Sequence, residues 1–210
     1  GNNSENPAGV VSLTKAGTGT WVLPNANSYT GKTTITAGTL SINSIQNAGS
    51  TTANALGTPA VGTGSIIDIA NTGTLRYTGS GHSSDRVIHN TTTNGGTITV
   101  NASGATGTLA LTGGFTTASS SGTSTVTLTG TGLGSQSGII SNGTGTNAAA
   151  LTKVGTGTWI LGGANTFIGA TTAAGGGTLV LDYTSQDNSK LANAAALTLG
   201  STTTFTGSSI

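Results

Sequence analysis

Apolar and hydroxyl-bearing residues alternate in short runs along the whole chain. Thr39-Leu40-Ser41-Ile42, Thr97-Ile98-Thr99-Val100, Thr108-Leu109-Ala110-Leu111, Thr125-Val126-Thr127-Leu128 and Ala196-Leu197-Thr198-Leu199 all read this way. A period of two gives each run one apolar face and one polar face, the pattern of a half-buried strand. The pattern predicts Leu40, Ile42, Leu109, Leu111, Val126, Leu128, Leu197 and Leu199 as inward-facing. Turn residues such as Asn94-Gly95-Gly96 and Ser141-Asn142-Gly143 separate the runs. Only Lys190–Ala196 offers even a short turn of helix.

The chain also repeats itself over a long interval. Leu13-Thr14-Lys15-Ala16-Gly17-Thr18-Gly19-Thr20-Trp21-Val22-Leu23 returns as Leu151-Thr152-Lys153-Val154-Gly155-Thr156-Gly157-Thr158-Trp159-Ile160-Leu161. Downstream, Ala26-Asn27-Ser28-Tyr29-Thr30-Gly31 is echoed by Ala164-Asn165-Thr166-Phe167-Ile168-Gly169, Thr33-Thr34 by Thr171-Thr172, and Gly38-Thr39-Leu40 by Gly177-Thr178-Leu179. A unit with one apolar face cannot bury that face alone. Stacked units bury a continuous core and pair each strand with the next. The expected fold is therefore all-β, a right-handed parallel β-helix of one domain over residues 1–210, with motif copies at 13–42 and 151–181. Rungs of roughly 20 to 25 residues give about 8 to 10 turns and a rod of about 40 to 50 Å. A flat antiparallel sandwich is the alternative. The long repeat and the lack of hairpin dipeptides count against it.

Composition narrows the function classes. Only 5% of residues are charged and the formal net charge is +1, so the chain carries no electrostatic footprint for nucleic acid or an anionic membrane. Cysteine and methionine are absent, which excludes disulfides and thiolate metal sites. Apolar runs such as Leu179-Val180-Leu181 fall far short of the roughly 20 residues that span a bilayer, so direct membrane insertion is not expected. The start, Gly1-Asn2-Asn3-Ser4-Glu5, lacks the features of a signal peptide, which suggests a processed chain or a fragment of a longer array.

The motif Leu-Thr-Lys-x-Gly-Thr-Gly-Thr-Trp-x-Leu, then Ala-Asn-x-aromatic-x-Gly, Thr-Thr and Gly-Thr-Leu, resembles the autotransporter-associated β-strand repeat. Its two copies carry Trp21, Leu23, Asn27, Tyr29, Gly31 and Leu40, and Trp159, Leu161, Asn165, Phe167, Gly169 and Leu179. Between them, Leu75-Arg76-Tyr77-Thr78-Gly79 with Ser84-Asp85-Arg86 is similar to segments that accompany such repeats. The resemblance implies a β-helical passenger region exported to the bacterial surface. It does not imply one activity, because this architecture carries adhesins, hydrolases and plain stalks.

Residues able to do chemistry are few. The acids are Glu5, Asp68, Asp85, Asp182 and Asp187, scattered where a glycan-cleaving site needs a pair. His82, Ser83 or Ser84, and Asp85 are adjacent, but triads draw their members from separate elements. The expected role of this stretch is a polar turn, with Asp85 capping backbone N–H groups and Arg86 pairing locally. His82 and His89 lack further ligands for a metal. Gly17-Thr18-Gly19 and Gly155-Thr156-Gly157 precede strands, not the helix a phosphate loop needs. No catalytic, metal or cofactor site is expected. Trp21 and Trp159 are expected in matching packed environments rather than as sugar platforms.

The expectation is a structural or adhesive extracellular surface element. Its partners are neighbouring repeats or copies of itself end to end, and a host or matrix surface. The alternatives are a polysaccharide hydrolase or lyase on the same fold, or an ice- or glycan-binding solenoid, which a flat array of aligned threonines would favour.

Overall fold

A computed structural model describes residues 10–104, 106–185, 189–200 and 204–206, the last three by their backbone. Its strands wind as a coil with three faces. The first face holds β1 (Leu13–Lys15), β3 (Thr33–Ile35), β5 (Ile67–Ile69), β8 (Ile88–Asn90) and β11 (Phe115–Thr117). The second holds β2 (Thr20–Leu23), β4 (Thr39–Ile42), β6 (Thr74–Tyr77), β9 (Gly96–Ala102), β12 (Thr123–Thr129), β14 (Ala148–Lys153), β16 (Thr171–Ala173) and β18 (Leu197–Leu199). The third holds β7 (His82–Ser84), β10 (Thr108–Leu111), β13 (Leu133–Gln136), β15 (Thr158–Leu161), β17 (Thr178–Leu181) and β19 (Thr204–Thr206).

Every pairing between these strands is parallel, so the molecule is a parallel β-helix and not a sandwich. Among the described residues the only helix is a 3-10 turn at Thr63–Ser65. Among the described residues, eight strands on the second face define eight rungs. At about 4.8 Å per step the described rungs rise about 34 Å, against about 40 to 50 Å expected for the full chain. The difference lies in unequal rungs. The path from one rung to the next takes 19 residues from Thr20 to Thr39 but 35 from Thr39 to Thr74, where the chain makes an excursion before β5.

The core runs up the axis. Leu40, Ile42, Leu75, Tyr77, Ile98, Val100, Val126, Leu128 and Leu151 line the second face from inside, and Leu109, Leu111, Trp159, Leu161 and Leu179 the third. Alternation thus places Leu40, Ile42, Leu109, Leu111, Val126 and Leu128 inside. Leu197 and Leu199 differ, at 46% and 49% exposed. They sit in register with Thr171 and Ala173, both buried, so they occupy the inward row. Their exposure arises because β18 is the edge strand of its face.

The two motif copies lie on different faces. The first runs β1, β2, β3, β4 on faces one and two. The second runs β14, β15, β16, β17 on faces two and three. Internal register is kept: Leu13 pairs Thr33 and Trp21 pairs Leu40, as Leu151 pairs Thr171 and Trp159 pairs Leu179. The same local corner therefore recurs one face further round the axis.

Candidate functional site

The repeat motif is built around its corner. Gly17 and Gly155 adopt left-handed conformations, with φ of 73° and 77°, which turn the chain from the first strand to the second. The turn leaves carbonyls without strand partners. In both copies a buried lysine collects them. Lys15 Nζ donates to the carbonyls of Ala16 at 2.9 Å, Gly17 at 2.6 Å and Ala37 at 3.0 Å. Lys153 Nζ donates to those of Val154 at 3.1 Å and Gly155 at 2.9 Å. Burial pushes the Lys153 ammonium down from its ordinary value.

The loop after the second strand uses Asn27 and Asn165 alike. Asn27 Nδ2 donates to the Ala55 carbonyl at 2.9 Å, and Asn165 Nδ2 to the Lys190 carbonyl at 3.0 Å. Gly31 N–H donates to the Val11 carbonyl and Gly169 N–H to the Ala149 carbonyl, both at 2.8 Å. A side chain at either glycine would strike that rung's backbone. Phe167 is buried, whereas Tyr29 is half-buried and its hydroxyl meets Thr33 Oγ1 at 2.8 Å. Leu40, Leu161 and Leu179 are buried, and Leu23 is half-buried.

The tryptophans differ from expectation. Trp159 is 1% exposed; Trp21 is 47% exposed. Trp159 lies over Gly134 of the rung below, where a Cβ would come 2.7 Å from its ring atoms, and its Nε1–H donates to the Thr129 carbonyl at 3.0 Å. Trp21 occupies the same inward row, in register with Leu40, and the Lys15 ammonium lies 5.6 Å from its ring centre. It is open on its other side because β2 is an edge strand. The contrast follows from position in the stack, since both side chains belong to the inward row.

The polar stretch 82–86 divides among separate tasks. His82 Nδ1 meets the Tyr77 hydroxyl at 2.7 Å. Asp85 Oδ1 accepts the Ala48 N–H at 2.7 Å, a cap reaching 37 residues back. Arg86 does not pair locally. It turns into the core, where Nε donates to the Ser65 carbonyl at 2.7 Å and Nη1 to the Leu56 carbonyl at 3.0 Å. Burial pushes its guanidinium down to about 10, partly offset by Tyr29 and Asp85. Burial also raises the phenol of Tyr77, and that of Tyr29.

On the first face Asp68 joins two neighbours across rungs. Its carboxylate lies 2.8 Å from Lys32 Nζ and 3.1 Å from His89 Nδ1. Asp182 is held below its ordinary range by hydrogen bonds from Thr184. Asp68, Asp85 and Asp182 thus have different partners and no two share one. Among the described residues, no three of His, Cys, Asp and Glu come together. Glu5 and Asp187 lie outside the described residues.

The outer wall of the second face carries a pattern that sequence alone conceals. Thr20, Thr39, Thr74, Thr99, Thr127, Thr152, Thr172 and Thr198 fall in register, one per rung. Cross-strand threonine pairs stabilise a sheet. Neighbouring columns are mixed. Thr97 and Thr125 lead to Ala150, and Val22, Ser41, Arg76, Asn101 and Thr129 make up the other side. The wall therefore aligns a single threonine column between two mixed ones.

Sequence reasoning passed over the buried cations Lys15, Lys153 and Lys190, and gave the buried Arg86 a local partner instead of its core carbonyls. Lys190 Nζ donates to the Gly162 carbonyl at 2.7 Å. The available signal was rarity: in so uncharged a chain, a lysine before Gly-x-Gly in both copies is a specific choice. Gly134 was missed because its partner Trp159 lies 25 residues on, in the next rung.

Compared with known proteins, the Passenger-associated-transport-repeat family matches residues 13–42 and 151–181. The chain is 36% identical over 169 residues to the protein named Adhesin BmaC autotransporter of Brucella suis biovar 1 (strain 1330). That match covers 80% of this chain and 4% of the relative, so the chain corresponds to a small part of the relative's length. No solved structure matches.

Proposed function

We infer that this chain, an autotransporter passenger-repeat protein, is a structural and adhesive element of a bacterial surface fibre. One observation supports this reading above the others. The few side chains able to do chemistry are engaged in holding the coil together, and the outer columns of the second face are mostly hydroxylated, with Arg76 their one charged residue. A fold whose cations cap its own carbonyls and whose acids stand apart is suited to bearing and presenting a surface. Similarity to a protein named as an adhesin supports the adhesive part of the reading, and similarity to passengers supports a surface-exposed or secreted location.

The test uses the parent protein in its own cells. Antibodies raised against residues 1–210 should label intact cells. Deleting this segment from the parent should lower cell attachment to extracellular matrix several-fold while the remaining passenger still reaches the surface. Labelling only after the cells are broken would contradict the location. Unchanged attachment would leave the segment a spacer and contradict adhesion.

A further inference from the structure

The chain has 6 lysines and arginines, and all but one are engaged by the fold. Lys15, Lys153 and Lys190 donate to backbone carbonyls, Arg86 donates to carbonyls in the core, and Lys32 meets the Asp68 carboxylate. Arg76 is the exception. It projects from β6 into solvent and engages no partner among the described residues. No acid among the described residues belongs to a second-face strand: Asp68 lies in β5, Asp85 follows β7 and Asp182 follows β17. The planar fork of guanidinium donors is therefore left to the solvent side of the wall.

Its surroundings are polar and uncharged. In register with Arg76 stand Ser41 of β4 and Asn101 of β9. Two residues back along the same strands are Thr39, Thr74 and Thr99 of the threonine column. These three side chains are half-buried and engage no partner among the described residues. Asn101 Oδ1 accepts the Ser103 hydroxyl, which leaves the Asn101 amide N–H groups free. Adjacent strands lie about 4.8 Å apart, and outward positions along one strand about 6.6 Å apart. One guanidinium thus stands in a flat patch of hydroxyls and amide, with no second charge in it. A dense polyanion is gripped by several cations, each neutralising one group. A neutral glycan makes no use of the guanidinium. The patch fits a ligand that carries single carboxylates separated by neutral, hydroxyl-rich units.

We propose that Arg76 is the centre of a binding site for an acidic sugar, a uronate within a polysaccharide whose other residues are uncharged. The guanidinium takes the carboxylate through two parallel N–H···O bonds. The Asn101 amide and the hydroxyls of Thr74 and Thr99 take the sugar hydroxyls beside it. Solvent exposure keeps one such contact weak. A cell displaying many copies gains strength by holding a long polymer at many points. The use of this site on the cell rests on the adhesive reading, whereas the binding itself is a property of this chain and is measured apart from it.

The test titrates the full, isotope-labelled chain with a hyaluronan hexasaccharide, in which uronate and uncharged amino-sugar residues alternate. Backbone amide signals should shift in β4, β6 and β9 around Arg76 and stay in place on the third face. Arg76→Gln should weaken binding about tenfold or more, as expected when a charged hydrogen-bonded pair is lost. Its unfolding midpoint should match that of the unaltered chain, because the side chain holds nothing in the fold. Arg76→Lys keeps the charge but loses the fork, so its affinity should fall between the two. The same hexasaccharide with its carboxyls reduced to alcohols should bind about tenfold more weakly or worse. Undiminished binding by Arg76→Gln, or equal binding of the reduced sugar, would overturn the site. Arg76→Lys binding as tightly as the unaltered chain would overturn the forked contact. Inorganic sulfate at matched ionic strength that shifted the same amides as strongly would show a site for any anion and overturn the sugar assignment. No binding of the hexasaccharide would overturn the proposal and leave the attachment test of the parent protein as it stands. Binding here, with attachment unchanged when the segment is deleted, would contradict adhesion and keep the site.

Discussion

At the residue scale, the decisive side chains are cations without acids. A buried ammonium is costly unless its protons are taken up by acceptors. At each motif corner the acceptors are the carbonyls that a glycine turn removes from the strand ladder. Lysine reaches them because its stem lies in the apolar core and its head arrives at the corner. Lys153→Met keeps most of the volume and removes the donor. The lost stability should be about 1–3 kcal/mol, the cost of stranding the Val154 and Gly155 carbonyls. Urea unfolding of the variant against the parent reads this directly. A midpoint equal to or above the parent's would show that the cap is dispensable and that relief from burying the charge dominates.

At the element scale, rungs communicate through shape as well as through backbone pairing. Trp159 projects down onto β13, and Gly134 is the hole that admits it. Gly134→Ala places a methyl where the ring already lies, so stability should fall by about 1–3 kcal/mol. Pairing it with Trp159→Leu should recover part of that loss, because the smaller side chain relieves the clash; a double-mutant cycle gives the coupling. Strictly additive losses would mean that the two rungs do not interlock there. Strands of this kind were legible in the sequence, since Thr-Val-Thr-Leu and its relatives declare their inner face. Interlocking was not, because register between strands 25 residues apart depends on how much chain each corner and excursion consumes. The step from Thr39 to Thr74 shows this: its extra length is absorbed outside the sheets, yet the two threonines remain paired. The same uncertainty hid the change of face between motif copies. It also hid the different surroundings of Trp21 and Trp159, which have closely similar sequence neighbours but a paired strand on one side of Trp21 and on both sides of Trp159.

At the scale of the whole molecule, stability is a sum over neighbouring rungs, and order along the axis replaces a single globular core. Each rung contributes a layer of leucine, isoleucine or valine, and the polar corners fix where the next layer lands. The threonine column is the visible record of that alignment. It brings side by side residues that lie far apart in sequence, at separations set only by the number of rungs between them. Spin labels at Thr39→Cys and Thr172→Cys measure this most directly. The two sites are on rungs five steps apart in the paired series from Thr39 through Thr74, Thr99, Thr127 and Thr152 to Thr172. At about 4.8 Å per step their backbones lie about 24 Å apart. Pulsed electron paramagnetic resonance should give a single narrow peak near that distance. A broad distribution, or a mean near twice that value, would contradict the stacked coil.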